Sequence, residues 1–265
     1  MEVLRPRSLA EALVVRAEHP EALAIRGGTD VMVELNFDRV RPEAMLDLGE
    51  IQELGGWARE DGLLRLGAGL TYAEIEQGEL ASELPALAEA SRTIGSPQIR
   101  NRGTLGGNLG TASPAGDALP PLLVDEAEVE VASTARGTRR LAVREFLVGP
   151  KRNVLEDDEL IVAVLVRPSG SSQTFMKVGP RNAMVIAVCS LAVAADRERG
   201  EMRASFGSAG PVPGLVRVAL EDSGDLPDAV AAACSPIDDV RGTADYRRHA
   251  LRVLARRAVD RCLAA

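Results

Sequence analysis

The 265-residue sequence predicts an α+β protein in two domains, and three observations carry that expectation. The length is about twice what one core organises, at roughly 100–200 residues per domain. A Ser/Gly stretch, Ser169 to Ser172, separates two regions and is taken as the boundary. Before it, short strand patterns are interleaved with capped helices; after it, two long apolar strands precede two helices. Hydrophobic residues at 46% and charged residues at 26% are the balance of a globular chain. With aromatic residues at only 3%, Leu, Val, Ala and Ile must fill the interior.

In order along the chain, "SLAEALVVRAEH" is a helix, because Ser8 and Glu11 have capping-box spacing and Leu9, Ala12, Leu13 and Ala17 recur at helical intervals. Ala22 to Ile25 is a short apolar strand, Gly27 and Gly28 a turn, and the apolar residues from Asp30 onward a short helix or extended segment. "MLDLGEI" and "LLRLGAGL" are strands, Thr71-x-x-Glu74 starts a helix, and "SELPALAEASRTI" is another. "RTIGSPQIRNRGTLGGNLGTASPAGD" has little with which to build a core. It is either a long surface loop or main chain arranged to approach an anionic ligand closely. "PAGDALPPLLV" is a helix kinked by its prolines, and "AEVEVAS" alternates as a strand. "DELIVAVLVRP", "SQTFMKVG", "MVIAVCSLAVAAD" and "MRASFGSAG" are strands, and "LPDAVAAAC" is a helix. A final amphipathic helix carries Tyr246, Ala250, Val253, Leu254 and Ala258 on one face.

A formal charge of −8 and few aromatic platforms argue against a nucleic-acid or anionic-membrane surface, so any phosphate must be held locally. Cys189, Cys234 and Cys262 are widely spaced and one short of a four-thiolate cluster, so they read as buried thiols in a reducing compartment. His19 and His249 have no second ligand at metal-like spacing, and no metal site is expected. The amino terminus lacks an apolar signal region, and the apolar run from Met184 to Ala195 is shorter than the ~18–20 residues of a spanning helix. The expected location is the cytoplasm.

Two glycine loops, "IRGGTD" and "GTLGGN", follow regular structure in different parts of the first domain. A diphosphate presents oxygens in all directions, so two loops can clamp it, with Thr29 and Thr104 adding hydroxyls. Neither loop has the Lys-Ser or Lys-Thr of a P-loop, and neither matches G-x-G-x-x-G. Asn108 is either a donor to a ligand or a turn residue. Asp117 is either an acceptor for ribose hydroxyls or a helix-start acceptor.

"AIRGGTDVMVELN", then "IGSPQIRNRGTLGGNLGTASPAGD", then "FMKVGPRNAMVIAV" together resemble the FAD-binding medium subunit of the xanthine dehydrogenase and carbon monoxide dehydrogenase family of molybdenum hydroxylases. The resemblance runs through the closing "DVRGTADYRRHALRVLARRA". It implies a two-part FAD-binding domain of the PCMH, vanillyl-alcohol-oxidase-like type at residues 1–168, with subdomains of about 1–55 and 56–168. A smaller α+β domain with an antiparallel sheet and helices would follow at 172–265. It implies that Ala24, Ile25, Arg26, Gly27, Gly28, Thr29, Asp30 and Val31, with Thr104, Leu105, Gly106, Gly107 and Asn108, hold the FAD pyrophosphate, mainly through main-chain N–H groups. Asp117 would bind the ribose or adenosine side, Ile94 would line the cofactor, and Ile161 and Val162 would meet it from a strand. Lys177 would stand near the flavin, where its charge would stabilise the anionic reduced ring.

The implied activity is an electron relay with no catalytic side chain of its own. Electrons would come from a small [2Fe–2S] subunit beside a large molybdopterin subunit, and would leave to NAD, oxygen or a quinone. Phe175 stands where many relatives carry tyrosine, and the clustered cysteines of a benzoyl-CoA reductase branch are absent. "KVGPRNAM" leans to the xanthine dehydrogenase side. Two rivals remain: a self-sufficient flavin oxidase or reductase, which would often anchor FAD through His or Cys at the first loop, and a non-catalytic nucleotide-binding assembly module.

Overall fold

The computed structural model describes residues 1–168 and 170–264, so Ser169 of the expected linker lies outside the described residues. The chain opens with β1 (Glu2–Leu4), α1 (Leu9–Glu18), β2 (Leu23–Ile25), α2 (Val31–Asn36) and β3 (Ala44–Asp47). The three strands form a parallel sheet in the order β1-β3-β2, with Glu2 beside Ala44 and Ile25 beside Asp47. Ser8 caps α1 as expected, its hydroxyl accepting from Glu11 N at 3.2 Å. The Glu11 carboxylate reaches one residue further back than a capping box does, to Arg7 N at 2.7 Å.

Next come β4 (Trp57–Glu60) and β5 (Leu63–Gly67), and then six short helices: α3 (Tyr72–Ile75), α4 (Gly78–Glu83), α5 (Pro85–Thr93), α6 (Pro97–Arg100), α7 (Leu105–Thr111) and α8 (Leu119–Val124). Thr71 and Glu74 make the reciprocal box that starts α3. The expected glycine loop is largely α6 and α7. Leu105 and Leu109 bury one side of α7, and that packing outweighs the poor helix propensity of its glycines. Pro120 and Pro121 fall in the first turn of α8, where missing N–H groups cost nothing, so the expected kink is absent.

The chain continues through β6 (Glu128–Ser133), β7 (Gly137–Ala142), α9 (Val143–Phe146), a small hairpin of β8 (Leu147–Gly149) and β9 (Arg152–Asn153), and β10 (Leu160–Val166). An antiparallel sheet in the order β4-β5-β10-β6-β7 packs Leu64, Val129, Val131 and Val164 against leucines of the six helices. A second cluster, with Leu46, Ile51, Ala68 and Val162, joins the parallel sheet to this sheet.

The remainder is an antiparallel meander of β11 (Ser172–Val178), β12 (Cys189–Asp196), β13 (Glu201–Gly207) and β14 (Gly214–Ala219), covered by α10 (Leu226–Ala233) and α11 (Ala244–Ala264). Ser172, expected in the linker, already belongs to β11. The buried stripe of α11 contains Ala250, Leu254 and Ala258 as expected, but Tyr246 is 48% exposed and Arg247 is buried in its place. Arg247 tolerates burial because its guanidinium pairs with Asp239 and donates to Ser208 O at 2.7 Å. Phe175, Ala192 and Ala194 of the meander pack on Ala86 and Ala90 of α5 and Val124 of α8, which fixes the two halves together. All three cysteines are buried, and no helix among the described residues is long and apolar enough to cross a membrane.

Candidate functional site

The first glycine loop leaves β2 at Ile25, whose carbonyl accepts from Leu48 N at 2.8 Å. A Cβ on Gly27 would stand 2.1 Å from Arg102 O, so only glycine allows the two loops to touch here, and Gly28 has φ +77°. The Arg102 guanidinium donates to Arg26 O at 3.2 Å, and Thr111 Oγ1 donates to Asp30 Oδ2 at 2.9 Å. The loops are therefore stitched to each other from both ends.

Among the described residues, nothing in the chain accepts from the main-chain N–H groups of Gly27, Gly28, Thr29, Asp30 and Val31. Five consecutive free donors give a local positive potential in a protein of net charge −8. Arg26 does not add to it. Its guanidinium turns inward to Leu48 O at 2.5 Å and Ile51 O at 3.2 Å, and lies so close on Gly69 that a Cβ there would sit 2.0 Å from Arg26 Nε. Arg26 is a strut of the loop.

The second loop works differently from the expectation. Leu105 N donates to Leu70 O at 2.9 Å, Gly106 N to Ala68 O at 2.7 Å, Gly107 N to Thr104 Oγ1 at 3.1 Å and Asn108 N to Thr104 O at 3.1 Å. These donors are already satisfied, so this segment contributes closeness. Gly106 allows α7 to pack on Ala68, while Gly107 is exposed, with Thr104 Oγ1 the sole neighbour of an added Cβ.

Between the loops lies a groove of about 540 Å³, lined by Ala24, Ile25, Arg26, Gly27, Gly28, Thr29, Asp30 and Val31, and by Thr104, Gly106, Gly107, Asn108 and Ile161. The β10–β6 register shifts between Ile161 and Ala163, a bulge next to the groove wall. Leu105 and Val162 are buried in the core clusters and do not line the groove. Arg16, Tyr72, Thr111, Leu155 and Glu159 also line it and were not singled out from the sequence; Thr111 falls within the quoted glycine segment, whereas the other four carry no local signal.

Asp117 and Lys177 form a second cluster outside the groove lining. Lys177 Nζ lies 2.5 Å from Asp117 Oδ2 and 3.2 Å from Thr93 O, next to Ile94, the half-buried C-cap of α5. Lys177 is thus no surface lysine. Asp117 is no helix cap either, because α8 has no side-chain cap. Burial pushes the Asp117 carboxyl up to about 6 against the downward pull of Lys177. Its Oδ1 and Asn108 Oδ1 are buried and without partners among the described residues. Asn108 stands in a helix instead of a turn, and the hydroxyl of the buried Tyr72 in the groove wall is kept protonated by burial and by the charges of Asp30 and Asp117.

A family model described as the FAD binding domain in molybdopterin dehydrogenase matches residues 1–168. The chain belongs to this family. It is similar to the xanthine dehydrogenase FAD-binding subunit of Escherichia coli O157:H7, at 30% identity over 98% of this chain and 95% of that protein. It is also 32% identical to the carbon monoxide dehydrogenase medium chain of Afipia carboxidovorans, over 98% of this chain and 96% of the other. Among solved structures, carbon monoxide dehydrogenase from Hydrogenophaga pseudoflava superposes with a TM-score of 0.91 at 25% identity, covering 100% of this chain and 97% of that one. The chain is thus an FAD-binding medium subunit of the molybdenum hydroxylase oxidoreductases, with the α+β fold and antiparallel C-terminal sheet expected of that family. The site suits FAD: free N–H groups match a pyrophosphate, and the orphaned Oδ1 of Asn108 in the groove wall matches a ligand hydroxyl or N–H donor.

Proposed function

We propose that the chain is the electron-relay subunit of a xanthine-dehydrogenase-like complex, holding FAD between a small [2Fe–2S] subunit and a terminal acceptor, with substrate oxidation on a large molybdopterin subunit. NAD, oxygen and a quinone are the candidate acceptors. The observation that carries the binding part is the run of unpartnered N–H groups at residues 27 to 31. Those groups hold the pyrophosphate, and Gly107 lets the ligand approach α7 from the other side. Asp117 binds through its free Oδ1, and because its other oxygen is paired with Lys177 both residues act at the same end of the cofactor, in place of the separate ribose or adenosine position expected for Asp117. Ile161 packs on the cofactor from β10, and Ile94 and Lys177 stand at the flavin end. Leu105 and Val162 support the site from beneath.

In this reading residues 1–55 and 56–168 are the two halves of the FAD-binding domain, and the groove between the glycine loops draws on both. Residues 172–265 form the second domain, and β11 carries Lys177 into the site. FAD, when bound, accepts electrons singly and passes a pair onward. The chain contributes binding, orientation, exclusion of water and a buried cation. The test is the absorbance spectrum of the purified chain, followed by acid release and chromatography. Flavin bands with released FAD and no iron–sulfur shoulder are expected; a colourless chain that refuses added FAD would sink the reading. Turnover of a small organic substrate by the chain alone would replace the relay with a self-sufficient oxidase.

A further inference from the structure

β11 is the edge strand of the meander, paired only with β12, so its outward N–H groups need acceptors from elsewhere. α5 supplies them through one carboxylate. Glu89 Oε2 accepts from Phe175 N at 2.7 Å and from Thr174 Oγ1 at 2.9 Å, and Glu89 Oε1 accepts from Arg261 of α11 at 2.7 Å. One turn further along α5, Thr93 O accepts from Lys177 Nζ at 3.2 Å. The strand is thus gripped at 174 and 175 by a charged acceptor, two residues before the lysine whose ammonium meets the same helix. Thr174 is fully buried, so its hydroxyl relies on the Glu89 carboxylate as acceptor.

We propose that Glu89 is a positioning residue that sets the place of Lys177 at the flavin end of the site; this rests on the reading of Lys177 given above. Glu89 touches no part of the groove and acts only through the strand. A cation held beside the ring favours added negative charge, so its displacement lowers the flavin potential.

The experiment measures the two-electron midpoint potential and the FAD content of the full chain loaded with FAD, in wild type, Lys177→Met, Glu89→Ala and Glu89→Gln. Glu89→Ala is expected to retain FAD and to shift the potential down in the direction of Lys177→Met. Glu89→Gln, which keeps an acceptor for Thr174 and Phe175, is expected to stay near wild type. In the FAD-free chain, amide exchange at Phe175 should quicken about tenfold in Glu89→Ala, the scale of one charge-assisted hydrogen bond. A lowered potential in Lys177→Met with a wild-type value in Glu89→Ala overturns the assignment of Glu89 alone. A wild-type potential in Lys177→Met overturns the placement of Lys177, and the role of Glu89 falls with it. Should Glu89→Ala fail to fold, Thr174→Val removes one donor to the carboxylate at nearly constant shape. A smaller downward shift supports the assignment, and an unchanged potential overturns it.

Discussion

Lys177 on β11 and Asp117 before α8, sixty residues apart, form an ion pair of 2.5 Å in which each side chain is only 7% exposed. It ties the second half of the chain to the end of the glycine segment. Removing one partner leaves a buried charge uncompensated, a loss of roughly 3–5 kcal/mol. The raised Asp117 pKa sets a sign as well. The folded state holds this proton longer than the unfolded state, so the group's contribution to stability falls as pH rises from about 4 to about 6 and is level above that.

Asp117→Ala should therefore do two separable things. It should weaken FAD binding by about 1–3 kcal/mol through loss of the free Oδ1 acceptor. It should also destabilise the FAD-free chain by stranding Lys177. Fluorescence titration with FAD and urea unfolding without it measure these separately. An unchanged FAD affinity would leave Asp117 with only its structural role.

Gly107 and Gly27 should behave as opposites. Gly107→Val places its first new atom 3.1 Å from Thr104 Oγ1 and otherwise in the groove, so FAD binding should be lost with the apo melting temperature nearly unchanged. Gly27→Ala drives a Cβ to within 2.1 Å of Arg102 O, forcing the loops apart at a cost of about 1–3 kcal/mol even without ligand. Thermal melts of both apo variants beside their flavin content test the pair. Normal flavin in Gly107→Val would mean that the ligand does not pass this face of α7.

Much of this was legible locally. Ser8 and the Thr71 and Glu74 box announce their helices because a cap needs only a side chain three residues from an N–H group. The first glycine loop was legible as main chain with free donors, whereas the second, read the same way, spends its N–H groups within the chain. What was missed depends on distant partners. The helix α7 exists because Gly106 can lie on Ala68, and its first two N–H groups are satisfied by carbonyls of residues 70 and 68. The polar strand β7 pairs at a sheet edge where alternation is weak, and its sequence gives no apolar signal. The pairing of Asp117 with Lys177 follows no spacing rule; only the family resemblance brought both residues to one ligand.

Arg26 illustrates the same limit, since a guanidinium beside two glycines reads as a phosphate ligand until the carbonyls of Leu48 and Ile51 are in view. Arg26→Met should lower the stability of the FAD-free chain by about 1–3 kcal/mol, because two carbonyls lose their donor. Its signature is a destabilisation measured by urea unfolding without FAD. Full apo stability with a large loss of FAD affinity would return Arg26 to the phosphate.

Asp125 offers a pH test independent of the flavin. Its Oδ1 accepts from Gln173 Nε2 at 2.5 Å, its Oδ2 has no partner among the described residues, and burial pushes its pKa up to about 7. Because the folded value lies above the unfolded one, the native state retains a proton that the unfolded chain releases. Stability should fall as pH climbs from about 4 to about 7 and then level off, with this group responsible for roughly 2–4 kcal/mol. Asp125→Asn keeps an acceptor for Gln173 and cannot ionise, so it should flatten the slope between about pH 6 and pH 7, leave the shallower part due to Asp117 below that, and exceed wild type in stability at pH 8. Urea unfolding of both proteins across this range decides it. A wild-type slope that persists in Asp125→Asn would move the titration to another group, with Asp117, the other strongly buried carboxyl with a raised pKa, the first to examine.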